Sequence, residues 1–245
     1  ERPYVDPELA RKAIKNRGNI EAALEAARRS LVLLRNERGL LPLSKDVGSL
    51  AVIGPLADDR AAPLGSWSCQ GDPQDVVTVL EGIKAKVSPE ARVLYAKGCE
   101  VDAESTEGFD DAVRAVRECE VAVVVVGESG EMSGEAASRA YLNLPGVQEE
   151  LLKAVCETGL PVIEVLMNGR PLAISWSAEH VPAILEAWFL GIQSGNAIAD
   201  ALFGDYNPGG KLPATFPRTV GQVPIYYNCK KTGRPPSGEK WPPKS

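Results

Sequence analysis

The chain has 245 residues, enough for one large α/β domain or for a domain with a tail. Its 27 lysines and arginines against 33 aspartates and glutamates give a net charge of −6, so there is no electrostatic case for a nucleic-acid or anionic-membrane partner. Hydrophobic residues make up 44% of the chain and can build a sizeable core, yet no apolar run approaches the roughly 20 residues that span a bilayer.

The opening, "ERPYVDPELARK", has neither Met nor an apolar stretch and reads as the start of an excised or processed piece. Asp6 and Pro7 predict a short helix, with the aspartate as cap and proline at the first position. Asn19 is read as the cap of a longer one, in which Ile20, Ala23, Leu24, Ala27, Leu31 and Leu34 recur at helical spacing. "GLLPL" ends it. Five apolar segments follow, at 50–54, 92–96, 121–126, 161–167 and 183–188, with helical patterns near 75–87, 108–118, 146–158 and 195–203. Continuous Val/Ile runs suit strands buried on both faces, and the alternation predicts a mostly parallel sheet of five or six strands between helices. From Gly204 onward Pro and Gly dominate, as expected of an extended tail.

Two loops that follow strands are long, and both should emerge at the carboxyl edge, where open sheets bind ligands. One is "GPLADDRAAPLGSWSCQGD" (54–72) and the other begins "GESGEMSGEAASRA" (127–140). The second has no G-x-G-x-x-G, and its acids would repel a pyrophosphate; no Walker A pattern exists either. A Ser–His–Asp triad has only His180 to draw on, and no G-x-S-x-G elbow occurs. The five cysteines (Cys69, Cys99, Cys119, Cys156, Cys229) are widely spaced with no CxxC pair, so free, mostly buried thiols are expected, with no metal and no cofactor.

Carboxylate chemistry remains. Glu128, Glu131 and Glu135 crowd one loop, and Asp58, Asp59 and Asp72 lie in the other. These acids read either as solvated loops or as a site in which a partly desolvated glutamate serves as general acid. Trp67, an indole in a Gly/Ser loop, favours the second reading, because flat aromatic faces bind sugar rings.

An ordered series of stretches also resembles the second domain of glycoside hydrolase family 3: "AARRSLVLLRNERGLLPL", "LAVIGPLADD", "GSWSCQG", "VLYAKGC", "VVVVGESGEMSGEAASRAYLNLPGVQEELL", "VLMNGRPLAI", "ILEAWFLGIQSGNAIADALFGDYNPGGKLPATFP" and "VGQVPIYYNCKKTGRP". The series is similar to the bacterial broad-specificity β-glucosidases. The resemblance implies a six-stranded α/β sandwich packed on an N-terminal TIM-like barrel that carries the nucleophilic aspartate. It implies the acid/base glutamate at Glu135, in "SGEAASR", with Trp67 and Ser68 lining the sugar cleft and Arg139 bracing the glutamate loop. Gln193 and Ser194 stand where the family commonly has an acid and a further glycine.

The expected layout is a linker and helix from the barrel over 1–36, the sandwich over 37–217, and a tail over 218–245 leading toward a fibronectin-III-like domain. Residues 1–36 are expected to be helical and loosely tied. The expected function is part of a retaining β-glucosidase, acting on a β-linked oligosaccharide or aryl glucoside and inactive without the barrel. The alternatives are a β-xylosidase, or a non-catalytic carbohydrate-binding or scaffolding module.

Overall fold

The computed structural model describes residues 4–228. Two helices open the chain, α1 (Pro7–Ala13) and α2 (Arg17–Ser30). Asp6 caps α1 through its side chain, which accepts from the Glu8 N–H. The second helix begins earlier than the expected Asn19 cap. Asn16 is the cap, and its side chain accepts from the Asn19 N–H at 3.0 Å.

Strand β1 (Val32–Asn36) then takes the place of the helical continuation expected through Leu34. Leu31 turns to an extended backbone (ψ 132°), and the β-branched, leucine-rich run pairs antiparallel with β6 (Ala183–Glu186) at the sheet edge. The rest of the sheet is parallel: β2 (Ser49–Ile53), β3 (Arg92–Ala96), β4 (Val121–Gly127) and β5 (Val162–Met167). The spatial order is β1-β6-β5-β4-β2-β3. This bears out the six-stranded α/β expectation.

Alternate residues of the central strands enter two cores. Val121, Val123 and Val125 face α2, α3 (Val79–Lys86) and α7 (Ser194–Leu202). Ala122, Val124 and Val126 face α4 (Phe109–Arg117) and α5 (Gln148–Cys156), with the short α6 (Ser175–His180) beside them. Burial on both sides is why β4 reads as an unbroken apolar run. Helix α6 has no counterpart in the sequence reading. His180 ends it, exposed and stacked on Trp176 at 4.7 Å between ring centroids.

The first 36 residues are not uniformly loose. Leu9 and Ile14 of α1 are exposed, but Ala27 and Leu31 are buried and α2 packs on α7. With β1 inside the sheet, the loosely tied character expected of this segment does not extend to α2 and β1. At the other end, Gly210 N–H donates to the Leu31 carbonyl at 2.9 Å, so the Pro/Gly-rich stretch begins by lying along β1. Cys99 and Cys119 are buried, Cys156 is half-buried and Cys69 is exposed, all as free thiols; Cys229 and the end of the expected tail lie outside the described residues.

Candidate carbohydrate site at the sheet switch point

From β2 the chain crosses by α3 to β3 on one side. From β4 it crosses by α5, on the opposite face, to β5 on the other side. Strands β2 and β4 are neighbours, so the order reverses between them. Loops leaving such a pair diverge and open a crevice beyond the carboxyl ends. These are the loops of Trp67 and Glu135.

The two loops touch. A methyl group at Gly134 would lie 2.2 Å from Ser66 Oγ and 3.6 Å from Trp67 Nε1, and one at Gly130 would lie 3.3 Å from the Gly65 carbonyl carbon. Trp67 is 70% exposed, which leaves its indole face open. Glu135 is exposed, and among the described residues its carboxylate has no hydrogen-bond or ion-pair partner. The structure therefore brings Gly134, the neighbour of Glu135, against the loop of Trp67. Ser68 is half-buried and lines a cleft of about 210 Å³ between the loops, together with Ala62, Gly65, Gly130 and Glu131.

The other acids separate by role. Asp58 accepts from Thr78 Oγ1 at 2.8 Å, Asp59 from the Ala61 and Ala62 N–H groups at 2.7 Å, and Asp72 from the Gln74 N–H at 2.9 Å. These aspartates close turns and caps, so the acidity of the first loop is structural. Glu131 is exposed at the cleft. Glu128 is fully buried at the end of β4 and accepts from Arg139 Nη1 at 2.7 Å. Arg139 thus reaches the root of the glutamate loop, and its Nη2 donates to the Asn143 carbonyl at 3.1 Å.

Three polar residues that were not singled out from the sequence complete this edge. Arg170, after β5, places Nε 3.2 Å from Glu128 Oε1, and its Nη2 donates to the carbonyls of Met132 and Ala137, the latter at 2.7 Å. Asn168 Nδ2 donates to the Arg170 carbonyl at 2.9 Å and lies 3.2 Å from Glu186 Oε1. Glu186 also accepts from the Trp188 N–H at 3.0 Å, and burial pushes its carboxyl well above the ordinary range. The available signal was positional: β4, β5 and β6 each give way at the same edge to a polar residue, Glu128, Asn168 or Glu186. Gln193 accepts from Asn196 Nδ2 at 2.8 Å and Ser194 is buried, so these two departures from the family pattern sit in helix packing.

The model of the glycosyl hydrolase family 3 C-terminal domain matches residues 31–241. A periplasmic beta-glucosidase of Salmonella typhimurium is 47% identical over 238 residues, 89% of this chain and 31% of that protein. A beta-xylosidase of Formosa agariphila is 48% identical over 212 residues, 84% of this chain and 29% of that protein. The crystal structure of a beta-glucosidase from Listeria innocua in complex with isofagomine superposes with a TM-score of 0.88 at 38% identity, over 95% of this chain and 32% of that one. The chain thus spans about a third of the length of these relatives. By the family match, the fold and the ordered motifs at the switch point, it belongs to glycosyl hydrolase family 3, as that family's C-terminal domain.

Proposed function

We propose that this domain supplies the acid/base half of a retaining β-glycosidase, a β-glucosidase by its relatives, with Glu135 as the acid/base. The observation that carries the reading is the contact, at Gly134, of the loop of an exposed, unpartnered Glu135 with the loop of an exposed Trp67 at the switch point. Glu135 protonates the glycosidic oxygen as the leaving group departs, then activates water against the glycosyl-enzyme. The nucleophile is an aspartate of a barrel domain outside this chain, its carboxyl about 5–5.5 Å from that of Glu135, as retention requires. Trp67 stacks on the sugar and Ser68 lines the cleft. Arg139 braces the loop at its root rather than at the carboxylate. The exposed Leu9 and Ile14 of α1 support a partner packed on this domain.

The test is hydrolysis of aryl β-glucosides and aryl β-xylosides by the 245-residue chain alone, mixed with a family barrel, and as Glu135→Gln. Activity is expected only with the barrel, lost in the variant and partly restored by azide on substrates with good leaving groups. Unchanged activity in the variant would overturn the assignment. The xyloside arm addresses the second reading, which the Formosa agariphila beta-xylosidase keeps open at 48% identity.

A further inference from the structure

Glu135 is flanked by two residues with positive φ, one of them not a glycine. Gly134 has φ 129° and Ala136 has φ 60°, the second in a region that disfavours any residue with a Cβ. What holds them lies below the loop. The carbonyls of Met132 and Ala137, three residues before Glu135 and two after it, both accept from Nη2 of Arg170. A planar guanidinium can serve two carbonyls at once while keeping another edge for an anion.

That anion is Glu128. Its carboxylate is fully buried, and a buried charge persists only when it is paired. Arg170 Nε and Arg139 Nη1 lie 3.2 and 2.7 Å from the same oxygen, and the Gly169 N–H lies 3.3 Å from the other. Arg139 in turn holds the Asn143 carbonyl, beyond the far end of the loop. One buried carboxylate therefore pairs with two arginines, of which Arg170 holds two carbonyls of the segment carrying Glu135 and Arg139 holds one beyond its end.

We propose that Glu128 is a positioning residue which, through Arg170, fixes the loop of Glu135 in its working conformation; this rests on the reading of Glu135 as the acid/base. Lysine at 170 keeps the charge but lacks the planar fork that faces the two carbonyls with one edge and Glu128 with another. Glutamine at 128 leaves two guanidinium groups facing each other without an anion.

The experiment compares Glu128→Gln, Arg170→Lys and Glu135→Gln in the polypeptide that joins this domain to its barrel, on aryl β-glucosides with poor and good leaving groups. A loop displaced by about an ångström is expected to cost roughly 10²-fold in kcat/KM, which reports the first step alone, where protonation of the leaving group is needed and less than about tenfold where it is not. Amide hydrogen exchange at 133–138 should quicken at least about tenfold in both positioning variants, with β4 and β5 unaffected. Equal losses on both substrate types, or unaltered exchange in the loop, would overturn the proposal. If Glu128→Gln fails to fold, Arg170→Lys carries the test, together with rescue of Arg170→Ala by added guanidinium. Should Glu135→Gln alone spare hydrolysis, the acid/base reading fails. Should Glu135→Gln abolish hydrolysis while Arg170→Lys keeps wild-type leaving-group dependence and exchange, only the tether fails.

Discussion

Gln148 closes on both backbone groups of Gly127: its Oε1 accepts the Gly127 N–H and its Nε2 donates to the Gly127 carbonyl, each at 2.8 Å. Gly127 is the last residue of β4, and a methyl group there would lie 1.9 Å from the Met167 carbonyl oxygen, so no side chain fits where β4 meets β5. Nε2 of Gln148 also donates to the carbonyl of Val101 at 2.6 Å and lies 3.2 Å from that of Pro145. The side chain replaces a strand where the ladder has run out, and it fixes the point from which Glu128 departs.

Gln148→Leu keeps the volume and strands several buried backbone groups. At about 1–3 kcal/mol for each group left without a partner, the loss should total at least about 3 kcal/mol. For a domain of this size that is a fall in Tm of roughly 6–12 °C, read by calorimetry. A change under about 2 °C would mean that water replaces the amide.

Glu164 sets a pH dependence. It is fully buried in β5, with Ser177 Oγ donating to one oxygen at 3.1 Å, and burial pushes its carboxyl up to about 8. In the unfolded chain a glutamate ionises near 4.3, as a rough reference. Between those values the unfolded state releases a proton that the folded state keeps, so stability falls as pH rises. The contribution is whole below the unfolded value and gone above about 8. Buried Glu186 acts in the same direction. Wild type should therefore lose Tm between pH 5 and pH 8, and Glu164→Gln should lose visibly less. Parallel Tm profiles for the two proteins would show that Glu164 is ionised in the fold.

These groups also show what the sequence could carry. The strands at 50–54, 121–126, 161–167 and 183–188 were legible because burial on two faces leaves a continuous apolar run, whereas the one at 92–96, at the sheet edge, is only partly buried. Strand β1 was not, because Leu31 and Leu34 continue the period of α2, and only pairing with β6 makes them extended. Asn16 and Asn19 offer the same capping chemistry three residues apart, and the backbone turn decides between them. Glu135 and Trp67 stood out because an acid and an indole in small-residue loops have no packing purpose. The aspartates of the first loop looked alike, yet Asp59 and Asp72 accept local backbone N–H groups and Asp58 accepts from the Thr78 hydroxyl. Arg170 meets the glutamate loop across 33 residues of sequence, through the adjacency of β4 and β5, so no local pattern announces it.

Gly134→Ala separates the loop contact from global stability. The new methyl group would meet Ser66 Oγ at 2.2 Å and would sit on a backbone with φ 129°, so the loop must shift where it meets Ser66. Because the loop is exposed, the Tm of the chain should move by no more than about 2 °C. The assembled glycosidase should lose about 10–100-fold in kcat/KM, since misplacement of a catalytic group by an ångström has that order of effect. Trp67→Ala should leave stability within about 0.5 kcal/mol, because the ring is 70% exposed, and raise KM. Wild-type kinetics in both would remove these loops from the site.

Asp200 decides whether α2 belongs to the sandwich. It is 2% exposed on α7, and one oxygen pairs with Arg28 Nη2 of α2 at 2.5 Å while the other pairs with Lys86 of α3. Lys86 also reaches Asp205 at 2.7 Å, and Lys45 pairs with the other oxygen of Asp205. Arg28 lies over the Tyr206 ring, 5.9 Å from its centroid. Asp200→Ala leaves the partly buried Arg28 without its anion and Lys86 with Asp205 alone. Breaking a fully buried pair costs about 3–5 kcal/mol; with Arg28 and Lys86 still a quarter or more exposed, about 2 kcal/mol is expected. The loss should be local, with amides of α2 exchanging faster while those of β4 and β5 keep their protection. Faster exchange through the whole sheet would show that α2 and the sheet unfold as one unit, and unaltered exchange in α2 would show that Ala27 and Leu31 hold it without the ion pairs.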